Sequence, residues 1–288
     1  MASPRTTVSQ LVPPVLLRWL DRVVLQRSIR LTGDYASWAA ALAESDGYDD
    51  ERVLEQVAAA AQCVQAGEAA YDQDGVTFDT MSPDWPLLVI LLAAALTNGG
   101  ALSVLDYGGS LGNTWRRAKP FLSRVPAVRW SIVEQPSLVE LGKRRFQDEQ
   151  LDFWLTPAEA VADAKCNVLN LGSVLQYLPA PRQTLEELLH LTPWDAVVIA
   201  RTPVWSLPDR LAIQHTPRCI YGSAIRYPSW ILNGPAMEAA VAAVGPALAL
   251  PADDLALSLG GHRVEYATTA WLRAAPQRTP LRPQEMIS

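Results

Sequence analysis

The run Val104-Leu105-Asp106-Tyr107-Gly108-Gly109-Ser110-Leu111-Gly112 ends an apolar stretch in an acid and opens at once into a glycine-rich turn. Further on, Trp130-Ser131-Ile132-Val133-Glu134 repeats the theme of an apolar strand closed by a carboxylate. Glycines let a backbone turn sharply and approach a ligand, and the helix that follows such a turn offers free N–H groups. The second acid stands where nucleotide-binding α/β folds hold ribose hydroxyls. The same pattern, without a ligand, would make a plain strand-to-helix turn.

The order of the glycines bears on which nucleotide fits. A dinucleotide fingerprint needs G-x-G-x-x-G, whose middle glycine admits a pyrophosphate. Here Gly108 and Gly109 are adjacent and Gly112 follows. An acid at the mouth of the turn, Asp106, repels phosphates and suits a cationic, hydroxyl-rich ligand. S-adenosylmethionine (SAM) has that chemistry, with a sulfonium, an α-ammonium and no phosphate. The expected cofactor contacts are Asp106, Gly108, Gly109, Ser110, Gly112, Glu134 and Gln135, joined by Asn170 and Ser173 at the end of a later strand.

Methyl transfer from a sulfonium to a hydroxyl is an in-line displacement, so the protein must align the partners and remove a proton. Of three histidines, His215 lies beyond the fifth predicted strand, where an acceptor would sit, and is the first candidate for general base. His190 closes a predicted helix, favourable against its dipole, and His262 lies in a late turn. Gln176 and Tyr177 follow the fourth strand and could orient the acceptor; core packing explains Tyr177 equally well. Asp74, Arg201, Tyr221, Arg226, Tyr227 and Trp230 form the expected acceptor surface. Aromatic faces stack on sugars and arginine forks to carboxylate or phosphate, although lid packing explains the same aromatics. Asp72, Asp74 and Asp79 could hold Mg²⁺ through oxygen, but no metal-ligand spacing is clear and no metal is expected.

The elements needed to position these residues are legible. Strands are expected at 102–106, 129–134, 151–155, 166–171 and 196–201, and helices near 113–123, 136–147, 157–163 and 182–190. Strand–helix alternation with apolar strands predicts a parallel sheet covered on both faces, with ligands outside the carboxyl ends of its strands. Residues 1–100 read as a helical region or cap, broken near 47–50, with a buried helix at Trp85 to Leu96 and an acidic, aromatic cluster at 71–79. Residues 101–273 form the core, 204–235 read as an aperiodic acceptor lid, and two strands meet at Gly260-Gly261. The tail from 274 reads as disordered.

Composition narrows the classes. The chain has 288 residues, 49% hydrophobic and 19% charged, an ordinary globular mix. A net charge of −6 argues against nucleic acid as a partner. Cys63, Cys166 and Cys219 give neither a zinc pattern nor a disulfide framework, which fits a reducing cytoplasm. No stretch is long enough to span a bilayer. Leu11 to Leu25 reads as amphipathic, so peripheral membrane contact stays open there, as does a homodimer.

The core resembles a class I SAM-dependent methyltransferase, and more closely a bacterial methyltransferase family associated with polysaccharide synthesis. The matching pieces are Gly33 to Trp38, Gly47-Tyr48-Asp49, Val104 to Gly112, Val133-Glu134-Gln135, Ser173 to Leu178, Arg201-Thr202-Pro203 and Tyr227 to Trp230. The family shows an acid before its Arg-Thr-Pro piece, where this chain has Ala200. The resemblance implies a Rossmann-like, mostly parallel sheet with antiparallel strands after the fifth. It also implies SAM as donor and a small-molecule or glycan hydroxyl as acceptor. Rival readings are a natural-product methyltransferase, a SAM-binding protein without turnover, and an NAD(P)-dependent oxidoreductase. The last lacks its signature, because none of Lys119, Lys143 and Lys165 follows a tyrosine at Tyr-x-x-x-Lys spacing.

Overall fold

The computed structural model describes residues 29–46, 51–73, 75–216, 225–250 and 256–274. The expectations for residues 11–25, 47–50, Asp74, Cys219, Tyr221 and the tail beyond 274 therefore lie outside the described residues. Along the chain run β1 (Arg30–Thr32), α1 (Trp38–Ala43), α2 (Glu51–Gln65), the hairpin β2 (Tyr71–Gln73) and β3 (Val76–Phe78), and α3 (Trp85–Thr97). The alternating core follows as β4 (Ala101–Tyr107), α4 (Asn113–Leu122), β5 (Ala127–Val133), α5 (Pro136–Arg145), β6 (Leu151–Trp154), α6 (Pro157–Ala164) and β7 (Val168–Gly172). After a 3₁₀ turn at Leu175–Tyr177 come α7 (Pro181–His190), β8 (Ala196–Trp205), β9 (Arg210–Thr216), β10 (Ile225–Asn233) and α8 (Gly234–Val241). The chain closes with β11 (Ala247–Leu250), β12 (Ala256–Leu259) and β13 (His262–Leu272).

The sheet is Rossmann-like. Parallel strands run in the order β6-β5-β4-β7-β8, and antiparallel β13 lies beside β8 with β11 on its outer side. The chain steps from β4 to one side and later returns to the other, so β4 is the switch point at which such sheets bind ligands. Period-two alternation sends successive side chains to opposite faces. Val104, Trp130, Ile132, Val168 and Val198 pack with α2 to α5. Leu105, Val133, Leu169, Val197 and Ile199 pack with α6 to α8. Helix starts are set locally: Pro136, Pro157 and Pro181 each occupy the first turn, where the missing N–H is no loss.

The described parts of 204–235 are mostly strand rather than aperiodic. β8 runs on to Trp205, and β9 pairs antiparallel with both β10 and β1. Leu31, Ala212, Ile231, Val264 and Tyr266 close a separate small core there. The N-terminal region likewise carries strands β1 to β3 between its helices, and the acidic cluster at 71–79 folds as the β2–β3 hairpin. Helix α3 buries Leu87, Leu88, Ile90, Leu91, Ala94 and Ala95, yet turns Trp85, Val89 and Leu96 outward at 59%, 60% and 76% exposure. The expectation of a wholly buried helix holds for one face only.

Candidate functional site

The turn after β4 winds through left-handed backbone at Gly108 (φ 74°), Ser110 (φ 51°) and Gly112 (φ 88°). A Cβ on Gly108 would stand 2.4 Å from Val174 Cγ2, and one on Gly109 would stand 2.7 Å from the Asp106 carboxylate. These glycines are demanded by conformation and by the residues packed behind the turn. Gly112 precedes α4 without a side-chain cap, leaving the first-turn N–H groups of that helix at the turn.

Glu134, one residue past β5, reaches back to this turn. One carboxylate oxygen accepts from the Ser110 N–H at 3.1 Å and the other from the Gln135 N–H at 2.9 Å. Burial raises its pKa, the two N–H bonds oppose this, and the nearby Asp106 adds to the rise. Turn and acid are thus a single hydrogen-bonded unit at the carboxyl ends of two adjacent parallel strands.

Asp106 does not line the mouth of the turn. It is buried, accepting from Trp130 Nε1 at 2.9 Å and from Asn170 Nδ2 at 2.7 Å. Burial pushes its pKa up to about 6, against those two hydrogen bonds. Asp106 and Asn170 support the turn from beneath. The apolar ring of Trp130 explains why no sequence pattern pointed to this arrangement.

Beside the turn, the end of β7 is tied to the middle of β8. Ser173 (φ 59°) and Arg201 (φ 50°) both adopt left-handed backbone, uncommon for residues with a Cβ. The fully buried Gln176 donates from Nε2 to Ser173 Oγ at 3.0 Å and to the Arg201 carbonyl at 3.3 Å, and its Oε1 has no partner among the described residues. Tyr177 meets Tyr227 edge to face, with ring centroids 5.1 Å apart.

Of the expected acceptor set, three described members are engaged within the fold. Tyr227 is buried, its hydroxyl 2.8 Å from Gln214 Nε2 and 2.7 Å from Thr216 Oγ1. Trp230 donates from Nε1 to the Leu178 carbonyl at 3.1 Å, while Arg226 is paired with Asp46 at 3.0 Å. His215 stands on β9, separated from β4 by β10, β8 and β7. Its Nε2 lies 2.7 Å from Thr32 Oγ1, and burial with Arg30 and Arg226 nearby lowers its pKa, Asp46 opposing. His215 thus lies within β9, which pairs on either side with β1 and β10.

Two arginines missed in the sequence matter here. Arg116, on α4, donates from Nη1 to the Leu111 carbonyl of the turn at 2.6 Å and from Nη2 to Asp72 of β2 at 2.7 Å. The pair is well buried, at 13% and 2% side-chain exposure. Arg117 donates from Nε to the Ser82 carbonyl and lies 4.9 Å above the Tyr71 ring. With Asp72, Gln73, Asn113, Thr114 and Arg201 it lines a cleft at the start of α4. The i, i+1 step on a helix gives no sequence signal for these roles, because their partners are about forty residues away in another element.

No protein-family model matches the chain, and neither does any curated protein. Among solved structures it is similar to the N-terminal domain of EvdMO1 in the presence of S-adenosylhomocysteine (SAH) and D-fucose. The identity is 11%, covering 78% of this chain and 99% of that one, at a TM-score of 0.43. It is also similar to SAM-bound CalS10, an amino pentose methyltransferase from Micromonospora echinaspora (14% identity, 65% and 89% coverage, TM-score 0.38). Human N-acetylserotonin methyltransferase in complex with SAM is a third such structure (15% identity, 65% and 51% coverage, TM-score 0.40). Among the described residues no helix is long and apolar enough to cross a membrane, and no cluster of three or more His, Cys, Asp or Glu could hold a metal.

Proposed function

We propose that the chain is a SAM-dependent O-methyltransferase acting on a hydroxyl of a sugar or glycan intermediate. The observation that carries the reading is the bond between Glu134 and the Ser110 N–H, which welds a ribose-type acid to the glycine turn at the sheet's switch point. The donor set fits the cofactor. Glu134 keeps acceptor capacity for two ribose hydroxyls, since each carboxylate oxygen can take more than one hydrogen bond. Asp106 and Glu134 together place two acids beneath and beside the turn, which disfavours a pyrophosphate and favours a sulfonium.

Bound SAM would supply a methyl group on a cationic sulfur. Its transfer to a hydroxyl would release neutral SAH and would require the acceptor's proton to pass to a base or to water. Gln176 ties Ser173 at the end of β7 to Arg201 within β8, which would stiffen the wall on which an acceptor rests. Tyr177 lies beside that wall and is the side chain proposed to orient the acceptor hydroxyl. Alignment carries the rate in this reading, and proton removal by His215 is left without geometric support. Calorimetric titration with SAM, SAH and NADH is the test. Saturable binding of SAM and SAH alone is expected, and binding of NADH alone would overturn the cofactor class.

A further inference from the structure

Arg201 is held in an unusual way. β13 pairs with β8 at Thr202–Ala267 and again at Ile199–Thr269, so Ala200 and Arg201 together face the single residue Thr268. This is a β-bulge, a device that re-aims a side chain and is common beside active sites. Arg201 takes up the strain with φ 50°. Its backbone is locked from both sides, the N–H donating to Thr268 Oγ1 at 3.2 Å and the carbonyl accepting from Gln176 at 3.3 Å. A strained residue persists only where its surroundings over-determine it, and such residues gather at ligand clamps.

The side chain so aimed is uncommitted. Arg201 lines the cleft at the start of α4, and its guanidinium has no hydrogen bond or ion pair among the described residues. Arg117 lines the same cleft, its guanidinium fixed by the Ser82 carbonyl and the Tyr71 ring. Of the two acids of the cleft, Asp72 is offset by Arg116, while Asp84 caps the Leu87 N–H at 3.1 Å, a bond that does not cancel its charge, so it stands against the two charges of Arg117 and Arg201. The balance left in the cleft is cationic, and the positive end of the α4 dipole adds to it.

We propose that Arg201 and Arg117 receive an anionic oxygen group of the acceptor, a carboxylate or a phosphate. This rests on the methyltransferase reading and narrows its substrate class to acidic hydroxyl compounds. A guanidinium forks to either anion, so the source is settled by titration.

The test uses full-length protein with nitrogen-labelled arginine, saturated with SAH and titrated separately with acetate and inorganic phosphate at constant ionic strength. The Arg201 Nε–Hε resonance should shift saturably, with the more effective anion naming the group. Arg201→Asn suits the left-handed backbone, so its melting temperature should match or exceed the parent's. In that variant the anion response of Arg117 should disappear while SAH affinity changes less than about twofold. Arg201→Lys, which keeps the charge and loses the fork, should respond more weakly than the parent and serves if the Asn variant fails to fold. An Arg201 signal indifferent to both anions overturns the inference, as does a loss of SAH affinity of about tenfold in either variant, which would put Arg201 in the cofactor site. Should the parent bind no SAH, the cofactor reading itself falls and takes the acceptor assignment with it.

Discussion

Glu134 holds the Ser110 and Gln135 N–H groups with a single carboxylate, and in the proposed role it must also meet two ribose hydroxyls. Losing a hydrogen bond to a charged group costs about 1.5–3 kcal/mol, so Glu134→Ala should weaken SAH about ten- to a hundredfold in calorimetry. An unchanged dissociation constant would reduce Glu134 to a clasp for the turn. His215 leads to the opposite expectation. Because its Nε2 is bonded to Thr32, His215→Ala should cost stability, by about 1 kcal/mol, and leave turnover nearly intact. A collapse of turnover with normal folding would restore it as a base. Burial also gives Asp106 a pH signature. Its pKa, about 6 against an ordinary 3.8, means that the folded state binds the extra proton. Its contribution to stability is therefore complete below 3.8 and is lost as the pH rises through about 6. Unfolding midpoints in urea should fall with pH across that window more steeply for the parent than for Asp106→Asn. Equal slopes would show that Asp106 titrates normally. The acids were legible in the sequence because they end apolar runs. Their division into a turn-facing Glu134 and a buried Asp106 was not, since it depends on Trp130 and Asn170 meeting across strands.

The elements of the core were legible almost residue by residue, because apolar strands alternate with helices, three of them proline-started. The stretch after Pro203 was not, and its residues say why. Tyr227, Pro228 and Trp230 on β10 and Arg210 and His215 on β9 break apolar alternation, and β9 takes its second partner, β1, from about 180 residues earlier. Such long-range pairing leaves no local periodicity to read. The glycine turn carries an element-scale prediction. Gly108→Ala puts its Cβ against Val174, 2.4 Å away, in a backbone at φ 74°. It should destabilise the protein by about 1–3 kcal/mol, and Val174→Ala in the same chain should recover part of that loss. No recovery would mean that backbone strain alone sets the cost. The hairpin tie predicts more. Asp72→Ala strands the Arg116 guanidinium in a site where it is only 13% exposed, so a loss of about 3–5 kcal/mol should appear in denaturation. A neutral result would show that Arg116 finds solvent when released.

At the scale of the whole molecule, the described residues hold two buried bodies, the large sheet core and the smaller cluster around Ala212, Ile231 and Val264. They share one strand. β8 gives Val197, Val198 and Ile199 to the first and Trp205 to the second, while β13 pairs along both stretches. A strand common to both cores cannot be lost by one and kept by the other. The two bodies should therefore melt as one cooperative unit, with calorimetric and van't Hoff enthalpies equal across a single heat-absorption peak.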